Sequence, residues 1–309
     1  MIDGKAEALW GKAEWSEMFV DIEGVDHEKP YWGTRFKMLW SKAHLYIFAQ
    51  MEEPHVWANL TRRDAIVYRD NDFEVFVKPD AAGDEYFEFE LNARNTVLDL
   101  LMTKPYRNGG KALIQWDATE VESAVDIQGT INEPGDVDSG WSLEMKIPYT
   151  DLAFYGKPIV PVEGRFWRIN FSRVQWEHQV LNGAYFRKRK NNGSLVPENN
   201  WVWSPQGIVD MHYPEQWGYL FFTKEAKDYS IAIKEWQKFE VWDLYYELMK
   251  YYNRKRTYEG FNVAGAIDDS WTWEDYMDSD LFYVKLYPSE GNYYFVLDHK
   301  GNLQTKYYE

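Results

Sequence analysis

Tyr68-Arg69-Asp70-Asn71-Asp72-Phe73-Glu74-Val75-Phe76-Val77-Lys78, followed by Tyr86-Phe87-Glu88-Phe89-Glu90-Leu91-Asn92, decides the fold of this chain. Successive side chains of a β-strand point to opposite faces. Phe73, Val75 and Val77 therefore share one face while Asp72 and Glu74 take the other; Phe87, Phe89 and Leu91 oppose Glu88, Glu90 and Asn92 in the same way. The pattern returns in Trp141, Leu143, Met145 and Ile147 against Ser142, Glu144 and Lys146, and in Trp167, Ile169 and Phe171 against Arg168, Asn170 and Ser172. Strict period-two alternation marks strands of an antiparallel sheet with one buried face. Turn clusters such as Asn132-Glu133-Pro134-Gly135 separate the runs, and no long helical pattern intervenes before residue 223. The predicted fold is mainly β, an antiparallel β-sandwich with jelly-roll or immunoglobulin-like layers.

The texture changes after Thr223. Ile233, Trp236, Phe239, Val241, Leu244, Tyr245, Leu248 and Tyr252 recur at three- and four-residue steps, which predicts a helix from Ser230 to about Arg256, capped by Asp228 or Ser230. Leu281 to Tyr287 and Tyr293 to Leu297, joined through Ser289-Glu290-Gly291-Asn292, read as a hairpin, and a last strand follows Asp298-His299-Lys300-Gly301. The expected organisation is a sandwich over residues 1–223 and a small α+β appendage, a long helix plus a small antiparallel sheet, over 224–309.

The 309 residues include 16 Trp, 23 Tyr and 17 Phe, and no Cys. Without Cys there is no disulfide, thiolate nucleophile or thiolate metal site. Fifty acids against 34 Lys and Arg, a formal charge of −16, exclude nucleic acid as a partner, because a phosphate backbone requires clustered cations. The same balance argues against an anionic membrane surface. No apolar run approaches the roughly 20 residues of a membrane span, so no membrane insertion is expected. Met1-Ile2-Asp3-Gly4-Lys5 lacks the basic-then-apolar pattern of a signal peptide. The protein is then either cytoplasmic or exported with its leader outside this sequence; a periplasmic or extracellular place is the expectation carried forward.

Acids and amides from several strands gather on one side, with aromatic rings close in sequence. That combination suits a sugar, whose C–H faces stack on rings while its hydroxyls need fixed donors and acceptors. The expectation is a concave, wet face lined by Asp72, Glu74, Glu88, Glu90, Arg168 and Asn170, with Tyr68 as the stacking platform. Crowded carboxylates should pair with Arg168 or Arg173, bind a cation, or titrate upward. Tyr106 and Arg107, in the turn Lys104 to Gly110, would rim the site, and His212 would reach it from a loop. Trp57, Trp176, Trp201 and Trp203 lie in less regular segments and are the Trp candidates for binding. Asp72 and Glu74 could also ligate calcium, which takes several hard oxygens.

A family resemblance rests on Ile2-Asp3-Gly4, Ala8-Leu9-Trp10, Phe19-Val20-Asp21-Ile22-Glu23-Gly24 and Thr34 to Trp40. It continues through Asp70 to Phe76, Tyr86 to Asn92, Gly140-Trp141-Ser142-Leu143-Glu144, Trp167 to Val174, and Met211 to Gly218. Over roughly the first 220 residues the chain resembles family 9-like carbohydrate-binding module proteins, in their longer bacterial form with a C-terminal extension. The resemblance implies a β-sandwich that grips a terminal sugar of an oligo- or polysaccharide between two rings without reacting with it. It also implies structural calcium. Tyr68 falls where the family has a Trp, Glu74 matches the family's hydroxyl-binding acid, and Asn170 matches a ligand-binding amide. Glu88 stands where the family has a basic side chain. The second ring belongs near Met211 and His212, and Trp203 or Tyr213 would have to replace it.

Two other chemistries stay open. Carboxylates on neighbouring strands can meet glycosidase spacings, about 5–5.5 Å for retention or about 6.5–9.5 Å for inversion. Met211 with His212 could ligate haem iron.

Overall fold

The computed structural model describes residues 1–79, 83–154, 156–224 and 231–308. The chain forms two compact units, one of Met1–Pro105 with Lys111–Ala226, the other of Tyr106–Gly110 with Lys227–Glu309.

The first unit is an antiparallel β-sandwich. In its larger sheet the order is Val20–Asp21, Asn199–Val202, Phe166–Gln175, Asp72–Lys78, Tyr86–Asn92, Val97–Met102 and Ala112–Leu113, with Gly218–Phe221 also paired to Phe166–Gln175. The second sheet runs Thr34–Trp40, His44–Glu52, Gly140–Pro148 and Glu122–Gln128. The apolar halves of the alternating strands meet between the sheets. Phe73, Val75, Val77, Phe87, Phe89, Leu91, Ile169 and Phe171 from one sheet pack with Ile47, Ala49, Trp141, Leu143 and Met145 from the other in one buried core. Burial of rings and branched chains at this density is the main stabilising term of the unit.

The outer face of the larger sheet is not left to solvent. Phe76, Tyr86, Leu98, Leu100, Met102 and Val202 on that face join Val67, Met211 and Trp217 in a second apolar cluster. Parts of the connections before Asp72 and after Val202 thus lie, through Val67, Met211 and Trp217, across the face that the alternation leaves polar. The expectation of an open, wet face is corrected here: an interrupted apolar pattern on the outer strands gives the two connections something to bury against.

In the second unit the helix spans Ile233–Lys255 and ends at Arg256 in the left-handed conformation (φ 60). Its N-cap is Ala232, with no side-chain hydrogen bond; Asp228 and Ser230, the expected caps, lie outside the described residues. Val241, Leu244, Tyr245 and Leu248 pack on Phe282, Val284, Leu286, Phe295 and Leu297 of a four-stranded antiparallel sheet. That sheet is ordered Trp271–Met277, Phe282–Pro288, Tyr293–Asp298 and Leu303–Tyr307.

Candidate functional site

The pairing register fixes which side chains share the outer face. Glu74 stands opposite Ser172 on one side and Glu90 on the other. Asp72 stands between Val174 and Asn92, and Phe76 between Asn170 and Glu88. Four carboxylates therefore converge from two adjacent strands, as the alternation predicts. Facing like charges across a strand pair is unfavourable unless something offsets it.

Burial sharpens the problem. Asp72, Glu74, Glu88 and Glu90 are 0%, 6%, 5% and 4% exposed. Among the described residues no Lys or Arg forms an ion pair with any of them. Burial raises all four above the ordinary carboxylate range, and for Asp72, Glu74 and Glu88 the neighbouring carboxylates add to it. Burial lifts Glu90 to about 7, against hydrogen bonds from the Tyr68 N–H, Glu88 and the Val67 N–H that favour its charged form. Asp72, Glu74 and Glu90 each offer an oxygen within 4.8 Å of the other two.

Tyr68 sits at the edge of this cluster and is 40% exposed. Its backbone is held twice. The Tyr68 N–H donates to Glu90 Oε2 at 2.9 Å, and Trp176 Nε1 donates to the Tyr68 carbonyl at 2.8 Å. Trp176 is buried and carries the Arg187 guanidinium 4.7 Å above its ring. Asp70 anchors the start of the same segment, its Oδ2 accepting from the Asn59 and Leu60 N–H groups and from Asn92 Nδ2. A partly exposed Tyr is thus held through its backbone against the edge of the acid cluster.

The other expected residues divide. Asn170 is on the outer face, but its amide is spent on structure: Nδ2 donates to the Ser204 carbonyl at 2.7 Å and Oδ1 accepts from the Ser204 N–H at 2.9 Å. Arg168 is on the same face and donates to the Pro214 and Glu215 carbonyls while lying 3.8 Å over the Tyr219 ring. His212 lies over that face with Nδ1 2.7 Å from the Tyr86 hydroxyl, and burial lowers its pKa to about 4.

Arg173 is on the opposite face, inside the sandwich, where it bonds Thr34 Oγ1, the Glu52 carbonyl and Gln175 Oε1. The expected pairing of Arg173 with the strand acids is therefore corrected; its acid partner is buried Glu53, 3.7 Å away. Trp203 also faces inward, edge-on to Phe36 and Phe171, and fills the space over Gly218 where a Cβ would come within 2.1 Å of its ring. It does not supply a second clamp ring on the outer face. Tyr106 and Arg107 belong to the second unit, where the Arg107 guanidinium lies 4.9 Å over Trp242. Trp57, Trp176 and Trp201, the other Trp candidates, are all buried.

Sequence reasoning missed Glu53 and Ser172. Glu53 accepts from Trp141 Nε1, Gln175 Nε2 and Asn71 Nδ2, tying both sheets to the loop that precedes Asp72. It lies just past a strand end, where period-two counting no longer applies. Ser172 was visible in the alternation but carries too little chemistry alone to stand out.

Residues 2–160 match the model of the family described as carbohydrate family 9 binding domain-like. An inferred carbohydrate-binding protein from Bacteroides uniformis ATCC 8492 is similar in structure, at 20% identity and a TM-score of 0.48, over 68% of this chain and 86% of that one. A family 9 carbohydrate-binding module from Caldicellulosiruptor kristjanssonii in complex with glucose aligns at 12% identity and a TM-score of 0.45, over 74% and 95% of the two chains. Its cellotriose complex aligns at 12% identity and 0.44, over 75% and 93%. No curated protein sequence matches the chain.

Proposed function

The chain belongs to the carbohydrate family 9 binding domain-like family, and from that premise we propose that it binds a neutral oligo- or polysaccharide, without reacting with it, at the Tyr68 ring and the acids beside it. The observation that carries this reading is the Tyr68 platform, exposed while its N–H and C=O are fixed by Glu90 and Trp176. A sugar ring would lay its C–H face on Tyr68, and its hydroxyls would meet the margin of the acid cluster at Glu74, the most exposed of the four acids at 6%. One ring of sugar offers little area, so affinity is modest. A chain end, with a single terminal ring to present, fits a single exposed platform better than an extended chain does.

The acids also set selectivity. Uronic acid polymers would bring carboxylates against carboxylates and are repelled. A polysaccharide ligand places the protein's work outside the cytoplasm, in polysaccharide use by the cell that makes it; fractionation of that cell tests the location. Among the described residues no helix is long and apolar enough to cross a membrane.

The test is a glycan array followed by calorimetry on the full chain. Neutral glucans and xylans should bind and polyuronates should not, and Tyr68→Ala should weaken binding at least tenfold, about 1.4 kcal/mol. Binding that is unchanged in Tyr68→Ala, or absent for every neutral glycan, would remove the proposal.

A further inference from the structure

The four-stranded sheet of the second unit has a face that its helix does not use. By register Tyr276 stands opposite Tyr283, Glu274 opposite Lys285, and Tyr294 opposite Lys306. These residues alternate along their strands with Phe282, Val284, Leu286 and Phe295, which pack with the helix, so they share the other side of the sheet. Tyr287 lies on that side too, its ring 5.3 Å from Tyr294, which is in turn 5.6 Å from Tyr308. Five tyrosines are thus gathered on one face, and Tyr276, Tyr283 and Tyr308 are 60%, 41% and 51% exposed.

Two features set this face apart from an ordinary solvated one. Its charges balance. Glu274 accepts from Lys285 Nζ at 2.9 Å, and Asp298 is spent on a turn, accepting from the Lys300 and Asn302 N–H groups. With Lys306 the face holds two acids and two lysines, in a chain of formal charge −16. Its rings are also preset, because Tyr287, Tyr294 and Tyr308 hold one another, which lowers the ordering cost of binding. A balanced face attracts neither nucleic acid nor an anionic membrane. The centre of a protein interface is a desolvated apolar pocket, whereas the aliphatic member of this face, Val296, is already buried. Rings set among hydroxyls and mutually paired charges suit a neutral sugar chain.

We propose that this face is a second carbohydrate surface, one that takes the side of an extended neutral polysaccharide rather than its end. Tyr283 and Tyr287 are four residues apart on one strand, about 13 Å, so a single terminal ring cannot reach both groups of tyrosines. The face lies outside residues 2–160, which match the family. Its ligand class rests on the carbohydrate binding proposed above, and a weak second contact on the same chain raises retention on a polymer through effective concentration.

The experiment measures depletion of the full chain by insoluble cellulose and insoluble xylan, beside calorimetry with cellobiose and xylobiose, which are too short to span the face. Circular dichroism and melting check that each variant is folded. Tyr276→Ala combined with Tyr283→Ala should lower retention on the bound polymer at least fivefold and leave disaccharide affinity within twofold of wild type. Tyr308→Ala, at the other end of the face, should act in the same direction. Tyr68→Ala should do the reverse, removing disaccharide binding and leaving a residual retention that the double alanine change then abolishes. Retention unchanged by both sets of face variants, or absent in wild type on both polymers, would overturn the proposal. Retention that survives Tyr68→Ala undiminished and vanishes with the face would remove the Tyr68 site and keep this one. In sedimentation, a dimer that the double alanine change dissociates would make the face a contact between copies and overturn the proposal equally.

Discussion

At the scale of single residues, the outer face is organised by what each polar atom has left to give after folding. Asn170 has both amide atoms committed to Ser204, whereas Tyr68 has its backbone committed and its ring exposed. His212 shows the same logic in its titration. Its ring nitrogen lies 2.7 Å from the Tyr86 hydroxyl, and burial lowers its pKa from the ordinary 6.5 to about 4, with Asp210 opposing the shift. A histidine whose folded pKa is depressed binds fewer protons folded than unfolded. Its contribution is therefore complete above pH 6.5 and is lost as pH falls from there towards 4. The linkage amounts to about 1–3 kcal/mol. Chemical denaturation at pH 7 and pH 4.5 should show a smaller stability loss in His212→Gln than in wild type; equal losses would mean that His212 titrates normally.

At the scale of strands, parity decides more than residue type does. Arg168, Asn170 and Ser172 share the outer face, so Arg173 has to turn inward with Phe171 and Ile169, although its charge suggests the company of acids. Inside, its guanidinium is fully buried, spans Thr34, Glu52 and Gln175, and lies beside Glu53. Removing one partner of a buried charge pair strands the other, at about 3–5 kcal/mol. Arg173→Ala should therefore lower stability by about that amount in urea titrations, with the glycan affinity of the folded fraction unchanged; a loss under about 1 kcal/mol would show that Glu53 is already satisfied by its hydrogen bonds. Alternation made the sandwich and the convergence of Asp72, Glu74, Glu88 and Glu90 legible in the sequence, because both follow from counting along a single strand. The same count applied to Trp201, Val202 and Trp203 puts Trp203 inside, and the expectation of a ring at the site fails where that count was not applied. The cover over the outer face was not legible. It depends on Val67, Met211 and Trp217 meeting strands far away in sequence, and no local pattern records such a meeting.

At the scale of the whole molecule, the chain contributes to its second unit twice. Residues 106–110 leave the sandwich sequence to join a unit otherwise made after residue 226. Within that unit Arg107 lies 4.9 Å over the Trp242 ring and 5.9 Å over Tyr245, and Asn108 Nδ2 donates to Asn302 Oδ1 at 3.3 Å. Trp242 and Tyr245 belong to the buried face of the helix, so this short turn is part of how the helix is held. A cation over an indole contributes roughly 0.5–2 kcal/mol, more as the pair is desolvated. Tyr106 and Arg107 therefore act on the stability of the second unit, while the Tyr68 platform and the acids lie wholly in the first. Arg107→Ala should lower protection of the helix amides in hydrogen exchange by roughly three- to thirtyfold, which is that free energy expressed as an opening equilibrium. Glycan affinity in the same preparation should stay within twofold of wild type. If affinity falls along with protection, Arg107 acts on the ligand as its sequence position first suggests, and the assignment of the two functions to separate units is wrong.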